Sequence, residues 1–207
     1  GGGRMVMGTA LLENRLGFND KLAEVVYNCQ MCGACDTSCK YSMDMELTEP
    51  LQEIRFGCVE AGKGNAKLEK LVKMMRQQGS MVPAGKVKRA DWAEGLGIKD
   101  AAKEKVDVLY FVGCQTSYNK DMWKIAKGAA KLMQKAGVNF GILGESETCC
   151  GGRAYQQGYK QDFLDQAKKI QALIKKSGAK TIVTTCAEGY HTFNVLWDQH
   201  NLKGGLE

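Results

Sequence analysis

Four cysteines stand close together near the beginning of the chain. Their spacing is C-x2-C-x2-C-x3-C, and steps of three residues place the first three thiols on one side of a tight coil. A loop and a following helix with this spacing typically bind a 4Fe–4S cluster, which transfers electrons one at a time. The spacing therefore predicts electron-transfer chemistry at Cys29, Cys32, Cys35 and Cys39.

Two other uses of these cysteines compete with a cluster. A C-x2-C pair is also half of a zinc site, but zinc sites usually combine two pairs that lie far apart in the sequence. Disulfide bonds are disfavoured because nine cysteines cannot all pair, and a chain of 207 residues can bury a core without them. Cys58 is open to two interpretations: it replaces Cys39 as the fourth ligand of the cluster, or it fills the core.

Composition and charge limit the classes of partner. The formal net charge is +6, but the lysines are spread evenly, so we expect no nucleic-acid binding. No stretch is apolar over the length that a membrane helix needs, and no signal peptide is recognisable near the start. Nine cysteines without a secretory signal predict a reducing compartment, the cytoplasm.

The first half of the chain divides into three segments. Residues 1–20 show weak periodicity and are expected to form a loose arm or an extension that lies on a partner. Residues 21–78 are expected to form a small helical module, with a turn at Glu49–Pro50 and a helix over 66–77. Residues 79–105 mix glycines with charges, which is typical of a linker or a partner-binding loop.

Residues 106–207 alternate apolar runs with amphipathic stretches, and this order predicts an α/β fold with a parallel sheet. The first helix of this region is expected to bury Met122, Ile125, Ala129, Leu132, Met133 and Ala136. The predicted strands are 106–112, 138–143 and 181–185, and the predicted helices are about 119–136, 155–176 and 188–198.

A second set of cysteines follows these strands. Cys114 comes after the first strand, Cys149 and Cys150 after the second, and Cys186 directly after the third. Because the carboxyl ends of parallel strands share one edge of a sheet, we expect the four thiols to meet there. The alternative is that they are small buried hydrophobic residues, as free cysteines often are.

Neighbouring residues favour a cluster at this second site. Gly113, Gly151 and Gly152 lack side chains, so their N–H groups are expected to approach sulfur. Cys186 is expected at the amino end of a helix, where the helix dipole lowers the pKa of a thiol.

The pattern Gly113-Cys114, Cys149-Cys150-Gly151 and Cys186 resembles the cysteine-rich CCG domain. That family includes the catalytic subunit of heterodisulfide reductase and the iron–sulfur subunits of glycolate, lactate and glycerol-3-phosphate oxidoreductases. The resemblance implies a small helical ferredoxin-like module followed by a Rossmann-like parallel βαβ domain. It also implies two clusters, one bound by the first cysteine set and one by Cys114, Cys149, Cys150 and Cys186.

The chain departs from the family pattern at three points. Gly189 stands where the family ends its motif with C-x-x-C, so the second cluster is either a four-ligand cubane or a non-cubane form. Lys40 follows Cys39 where the bacterial ferredoxin motif has proline. Each of the two motifs occurs once, whereas many members of the family contain each of them twice.

By resemblance, the chain is expected to be the electron-transfer component of a respiratory or catabolic oxidoreductase complex of anaerobic metabolism. Its expected partners are a flavoprotein or a quinone-linked membrane subunit, through which it would associate with the membrane, and its acceptor is quinone- or disulfide-linked. One alternative is a heterodisulfide-reductase-like catalytic subunit, with His191 as a proton donor rather than an ordinary helix-face histidine. The other alternative is a zinc-bound interaction module.

Overall fold

The structure, a computed structural model, describes residues 2–206 apart from the side chains of Lys40, Ser42 and Met43. The chain forms two compact units. The first contains the residues up to Val72 together with Arg153–Lys160, and the second contains Lys73–Gly152 and the residues from Gln161 onward.

Helices form most of the first unit. Helix α2 begins after Asn19, whose side chain accepts a hydrogen bond from the Leu22 N–H group. Its buried face packs with that of helix α4 around Val26, Leu51 and Cys58. The helices of this unit are α1 (Gly2–Leu12), α2 (Asp20–Tyr27), α3 (Ala34–Met43), α4 (Thr48–Glu60) and α5 (Ala66–Gln78), the last of which continues into the second unit.

The expected loose arm over residues 1–20 is wrong. Helix α1 occupies most of this segment, and Met5, Met7 and Leu11 pack against the core of the first unit. One side of the helix packs against the core, but the apolar Leu12 is 87% exposed. Apolar residues are therefore not confined to one face, and this weakens the helical periodicity of the sequence.

The turn expected at Glu49–Pro50 is also wrong, because helix α4 runs through both residues. Proline is tolerated in the first turn of a helix, where its missing N–H group would have no helical partner. The helix predicted over 66–77 is confirmed by α5.

A parallel sheet organises the second unit and confirms the α/β fold class. Strand β2 lies in the middle, paired to β3 on one side and to β4 on the other, and β1 pairs with β3. The strands are shorter than predicted, since only three residues of each predicted range pair. They are β1 (Lys99–Asp100), β2 (Val108–Tyr110), β3 (Phe140–Ile142) and β4 (Thr181–Val183), in the order β1-β3-β2-β4.

Residues 79–105 are not a linker. They contribute strand β1 to the sheet, and Trp92 is only 2% exposed within the core of the second unit. The indole ring of Trp92 meets the Tyr110 ring edge to face, with 5.8 Å between centroids. Trp92 lies in irregular backbone among glycines and charged residues, so no periodic pattern in the sequence indicates that it is buried.

The helices of the second unit lie between and after its strands. Helix α7 buries Ala126 and Ala130, whereas the expected inner residues Ile125 and Leu132 are 41% and 70% exposed. The expected inner residues Ala129 and Met133 do pack against the Trp92 cluster, and the small alanines beside them allow the helix to approach it closely. The helices are α6 (Cys114–Tyr118), α7 (Trp123–Lys135), α9 (Lys160–Ser177), α10 (Ala187–His191) and α11 (Trp197–Gln199). Helix α8 (Gly152–Gln156) precedes α9 in the chain, and all of its residues except Gly152 belong to the first unit.

Helix α9 buries Phe163, Ala167, Ile170 and Ile174, as predicted. The predicted helix over 155–176 is interrupted before α9, because Gly158 has a φ of 96°, outside the helical region. The predicted final helix is present but contains a π-helical turn over Thr192–Leu196 between α10 and α11.

Candidate metal centre

The carboxyl edge of the sheet carries the second cysteine set, as the sequence predicts. Cys114 begins α6 four residues after β2 ends, and Cys186 is the residue before α10, after β4. Cys149 and Cys150 lie between β3 and α8. All four cysteines are free thiols.

Contacts between the thiols bring this set together. The Cys149 thiol hydrogen-bonds to the thiols of Cys114 and Cys150, and Cys186 lies within electrostatic reach of Cys150. Cys149 is buried, and the other three are partly buried. The edge therefore presents four sulfur atoms, one of them buried and three partly shielded from water.

The hydrogen bonds divide the thiols by acidity. The hydrogen bond from Cys149 holds the pKa of Cys114 well below its usual value, although burial opposes this, and the positive charge of Arg89 lowers it further. The same kind of bond lowers the pKa of Cys150. The pKa of Cys149 is correspondingly raised. Two of the thiols are thus prepared to become thiolates, the form that binds metals.

The expected low pKa of Cys186 is wrong. Burial raises the pKa of this thiol, although the N–H groups of Gly189 and Glu188 at the start of α10 lower it. Helix α10 has five residues, so its dipole is small, and loss of water outweighs it.

The three glycines next to the cysteines have different roles. Gly151 has a φ of 79°, and its N–H group lies 3.5 Å from the Cys149 sulfur, as predicted. A Cβ atom at Gly152 would overlap the Thr192 hydroxyl, which itself lies 3.7 Å from the Cys150 sulfur. Gly113 does not bond to sulfur, because its N–H group donates to Glu147 at 3.0 Å.

Sequence reasoning missed a buried ion pair beside Cys114. Arg89 Nη1 donates to Glu147 Oε1 at 3.0 Å, and the two side chains are 4% and 3% exposed. Arg89 Nη2 donates to the Cys114 sulfur at 3.4 Å. Burial raises the pKa of Glu147 to about 7, although the charge of Arg89 and N–H groups of Val112 and Gly113 lower it. Burial disfavours the charge on Arg89, but Cys114 and Glu147 outweigh burial and raise its pKa.

The supposed linker supplies other parts of this site. The Gly79 carbonyl accepts hydrogen bonds from Arg89 at 3.0 Å and from the Cys149 N–H group at 2.7 Å. The Ser80 side chain hydrogen-bonds to the thiol of Cys114. No spacing rule joins residues 79–89 to the cysteines, since only the tertiary fold brings them close.

Gly189 lies next to the thiol set and is buried. A Cβ atom at this position would stand 3.5 Å from the Cys186 Cβ and 3.1 Å from the Thr184 hydroxyl. The last position of the family's C-x-x-C motif therefore faces Cys186 in this chain.

The first cysteine set surrounds the start of α3. Cys35 and Cys39 lie one turn apart on this helix, Cys32 is exposed, and Cys29 is half-buried against the core of the first unit. The N–H group of Met31 donates to the Cys29 sulfur at 3.4 Å. Met31 and Gly33 have φ angles of 53° and 74°, so the loop is tightly coiled.

Two partly buried polar contacts attach this loop to the rest of the first unit. Asp36 accepts a hydrogen bond from the Thr48 N–H group at 2.9 Å and so caps the start of α4. Arg55 Nη2 donates to the Cys29 carbonyl at 2.6 Å, and its Nη1 donates to the Gln156 carbonyl at 2.7 Å. Cys58 is fully buried in the adjacent core, where burial raises its pKa.

His191 and three acidic residues of the sequence, Asp44, Glu46 and Glu49, are exposed. Within residues 2–206, no three cysteine, histidine or carboxylate side chains are arranged to hold a single metal ion. A four-iron cluster binds each thiolate at a different iron, so its ligands stand farther apart than those of one ion.

The residues at the sheet edge fit an iron–sulfur cluster in their chemistry. The set offers four thiols, two of them with lowered pKa values, together with an N–H group and a buried guanidinium that donate to sulfur. Glycine is required at 152, because a side chain there would collide with Thr192.

Comparison with known proteins gives the same family. The model of the cysteine-rich domain CCG matches residues 108–194. The chain is 31% identical over 187 residues to a subunit of the dihydromethanophenazine:CoB–CoM heterodisulfide reductase of Methanosarcina mazei, covering 86% of this chain and 43% of that protein. No solved structure matches the chain.

Two bacterial proteins are also similar. The EtfAB:quinone oxidoreductase of Syntrophomonas wolfei is 27% identical over 178 residues, covering 81% of this chain and 24% of that protein. The probable iron–sulfur-binding oxidoreductase FadF of Bacillus subtilis is 26% identical over 189 residues, covering 87% and 27%. The chain thus spans less than half the length of these relatives.

No helix within residues 2–206 has the length and apolar character needed to span a membrane. The match of residues 108–194, the cysteine positions at the sheet edge and the similarity to these relatives agree with one another. Residues 108–194 of the chain therefore match the cysteine-rich CCG domain, and the relatives support that assignment.

Proposed function

We propose that the chain is an iron–sulfur electron-transfer subunit of a multi-subunit oxidoreductase. One 4Fe–4S cluster would be held by Cys29, Cys32, Cys35 and Cys39. A second cluster would be held by Cys114, Cys149, Cys150 and Cys186. The observation that carries the proposal is the position of these last four thiols at the carboxyl edge of a parallel sheet, where Cys149 hydrogen-bonds to Cys114 and Cys150, in a segment that matches the cysteine-rich domain.

The protein groups around the second set have separate tasks. Cys149 stabilises the thiolates of its two neighbours by hydrogen bonding. Gly151 N–H and Arg89 each donate to a ligand sulfur. A cluster bound there supplies one-electron chemistry, and the surrounding dipoles and charges set its reduction potential.

The first set is better suited to exchange electrons with a partner. Cys32 is exposed, as are Tyr41 and Met45 in the residues that follow. An apolar surface of this kind beside a redox centre favours a transient protein contact. We expect the partner to be another redox subunit, such as a flavoprotein or a quinone-linked membrane subunit, which would bring this chain to the membrane.

Replacement of single cysteines tests this assignment. Cys149→Ser should remove about four irons per chain and one of two paramagnetic signals of the reduced protein. Cys58→Ala is the control, because Cys58 lies in the core of the other unit and should leave both signals in place. Loss of no iron in Cys149→Ser would contradict a cluster at the sheet edge, and loss of a signal in Cys58→Ala would make Cys58 a ligand.

Disulfide reduction is a second candidate function, because a heterodisulfide reductase component is among the similar proteins. In this family the reaction is linked to five cysteines, and Gly189 occupies the fifth position here. Electrons from an artificial donor should therefore reduce a mixed disulfide no faster than with the Cys149→Ser variant. Clear reduction above that background would favour the catalytic function.

A further inference from the structure

The guanidinium of Arg89 is enclosed beside a cysteine of the second set. Its side chain is 4% exposed, and Nη2 lies 3.4 Å from the Cys114 sulfur and 3.0 Å from the Gly79 carbonyl oxygen. The Tyr118 ring lies 5.1 Å from the guanidinium carbon. A charge removed from water in this way is costly unless other charges and hydrogen bonds compensate for it.

Glu147 compensates for the buried charge of Arg89 and also fixes the position of the backbone before Cys114. Its carboxylate accepts from Arg89 Nη1 at 3.0 Å, from Val112 N at 3.1 Å and from Gly113 N at 3.0 Å. Val112 and Gly113 directly precede Cys114. The ion pair therefore holds both the backbone that leads to this cysteine and the sulfur itself.

We propose that Arg89 is a positioning residue that raises the reduction potential of the cluster bound by Cys114, and that Glu147 holds its guanidinium in place. The inference rests on the proposed function, since it requires a cluster at the second cysteine set. It goes beyond that function because it names Arg89, a residue outside the cysteine motifs, as one that sets the reduction potential of the second cluster.

Electrostatics gives the direction of the effect. Reduction adds one electron to the cluster and its thiolates, and no proton has to move to or from Arg89. A fixed positive N–H donor 3.4 Å from a ligand sulfur stabilises the more negative, reduced state more than the oxidised state. Burial keeps solvent and salt from screening this interaction.

A reductive titration of the cluster-loaded chain tests the proposal. The signal to follow is the one that disappears in Cys149→Ser. Arg89→Met should lower the equilibrium constant for one-electron reduction of this cluster at least tenfold. This change corresponds to a reduction potential that is lower by about 59 mV. Arg76→Met is the matched control, because Arg76 forms an ion pair with Asp162 and is 49% exposed, so its loss should shift neither cluster.

A second comparison covers the case in which Arg89→Met cannot load its cluster because Glu147 is left buried and unpaired. Glu147→Gln and the double variant Arg89→Met/Glu147→Gln differ only by Arg89, and the double variant should have the lower potential. A shift below threefold in this comparison and in the single variant would overturn the proposal. A wild-type chain without a second cluster would instead overturn the proposed function, and this inference with it.

Discussion

At the scale of single residues, side-chain volume decides whether the second cysteine set can form. Gly152 has Thr192 and Glu188 where a Cβ atom would have to lie, and Thr192 also approaches the Cys150 sulfur. The glycine is therefore needed for space. Gly189 is different, because a Cβ atom there would make an ordinary contact with Cys186 at 3.5 Å and a tight one with the Thr184 hydroxyl at 3.1 Å.

Gly152→Ala should therefore disturb the second site. The methyl group forces Thr192 away from Cys150, and the overpacking should cost about 1–3 kcal/mol in the free energy of unfolding. Iron content and chemical denaturation measure the two effects.

Gly128→Ala is the control for this change. Gly128 lies in α7, and a Cβ atom there meets nothing within 4 Å. The control should be neutral or more stable by roughly 0.5–1 kcal/mol, since alanine favours helix over glycine. Equal iron content and equal free energies of unfolding in Gly152→Ala and Gly128→Ala would contradict the crowding at Gly152.

Gly189→Cys should create a new redox pair. The 3.5 Å between the two Cβ positions is at the short end of the range that a disulfide spans. In cluster-free protein under oxidising conditions, we expect a disulfide with Cys186 to form, seen as the loss of two free thiols and a mass decrease of about 2 Da.

The same variant loaded with iron should show a changed paramagnetic signal, because a fifth thiolate would then be available. Gly128→Cys is the matched control, since its Cβ has no neighbour and no disulfide should form. Two free thiols at 186 and 189 after oxidation would mean that the position does not face Cys186.

At the scale of elements, the site depends on a segment that has little regular structure. Residues 79–105 contribute β1, the buried Trp92, and the Gly79 carbonyl that binds both Arg89 and the Cys149 N–H group. The strands place the cysteines at the sheet edge. Residues 79–105 add polar contacts around these cysteines.

Trp92→Ala should therefore destabilise the second unit as a core substitution does, by about 3–5 kcal/mol in the free energy of unfolding. Its indole packs on Tyr110 in the core, so the change leaves a cavity. Tyr190→Ala is the control, because Tyr190 is 63% exposed and should cost little. A loss below about 1 kcal/mol for Trp92→Ala would restore the view of this segment as a linker.

At the scale of the whole chain, two units each contain one cysteine set and one buried arginine near it. Arg89 donates to a cysteine sulfur, and Arg55 donates to the Cys29 carbonyl. Clusters with four thiolates are negatively charged, and buried cations nearby favour both their binding and their reduction.

The sequence predicts some of this organisation and misses the rest for physical reasons. Strand and helix periods place Cys114, Cys149 and Cys186 after parallel strands, and that placement follows from topology alone. Arg89 could not be found, because its contact with Cys114 joins residues 25 apart through irregular backbone. The buried face of α7 was predicted only in part, because Ala129 and Met133 pack against the core but the most buried residues are the small Ala126 and Ala130.

The most direct test of the account is the content of iron, acid-labile sulfide and zinc in the anaerobically purified chain, with absorption spectra before and after dithionite. Two cubane clusters predict about eight irons and eight sulfides per chain, and a broad absorption band at about 400 nm that bleaches on reduction. About four irons would mean that one of the two cysteine sets holds no cluster. Zinc without sulfide would contradict electron transfer and leave an interaction module in its place.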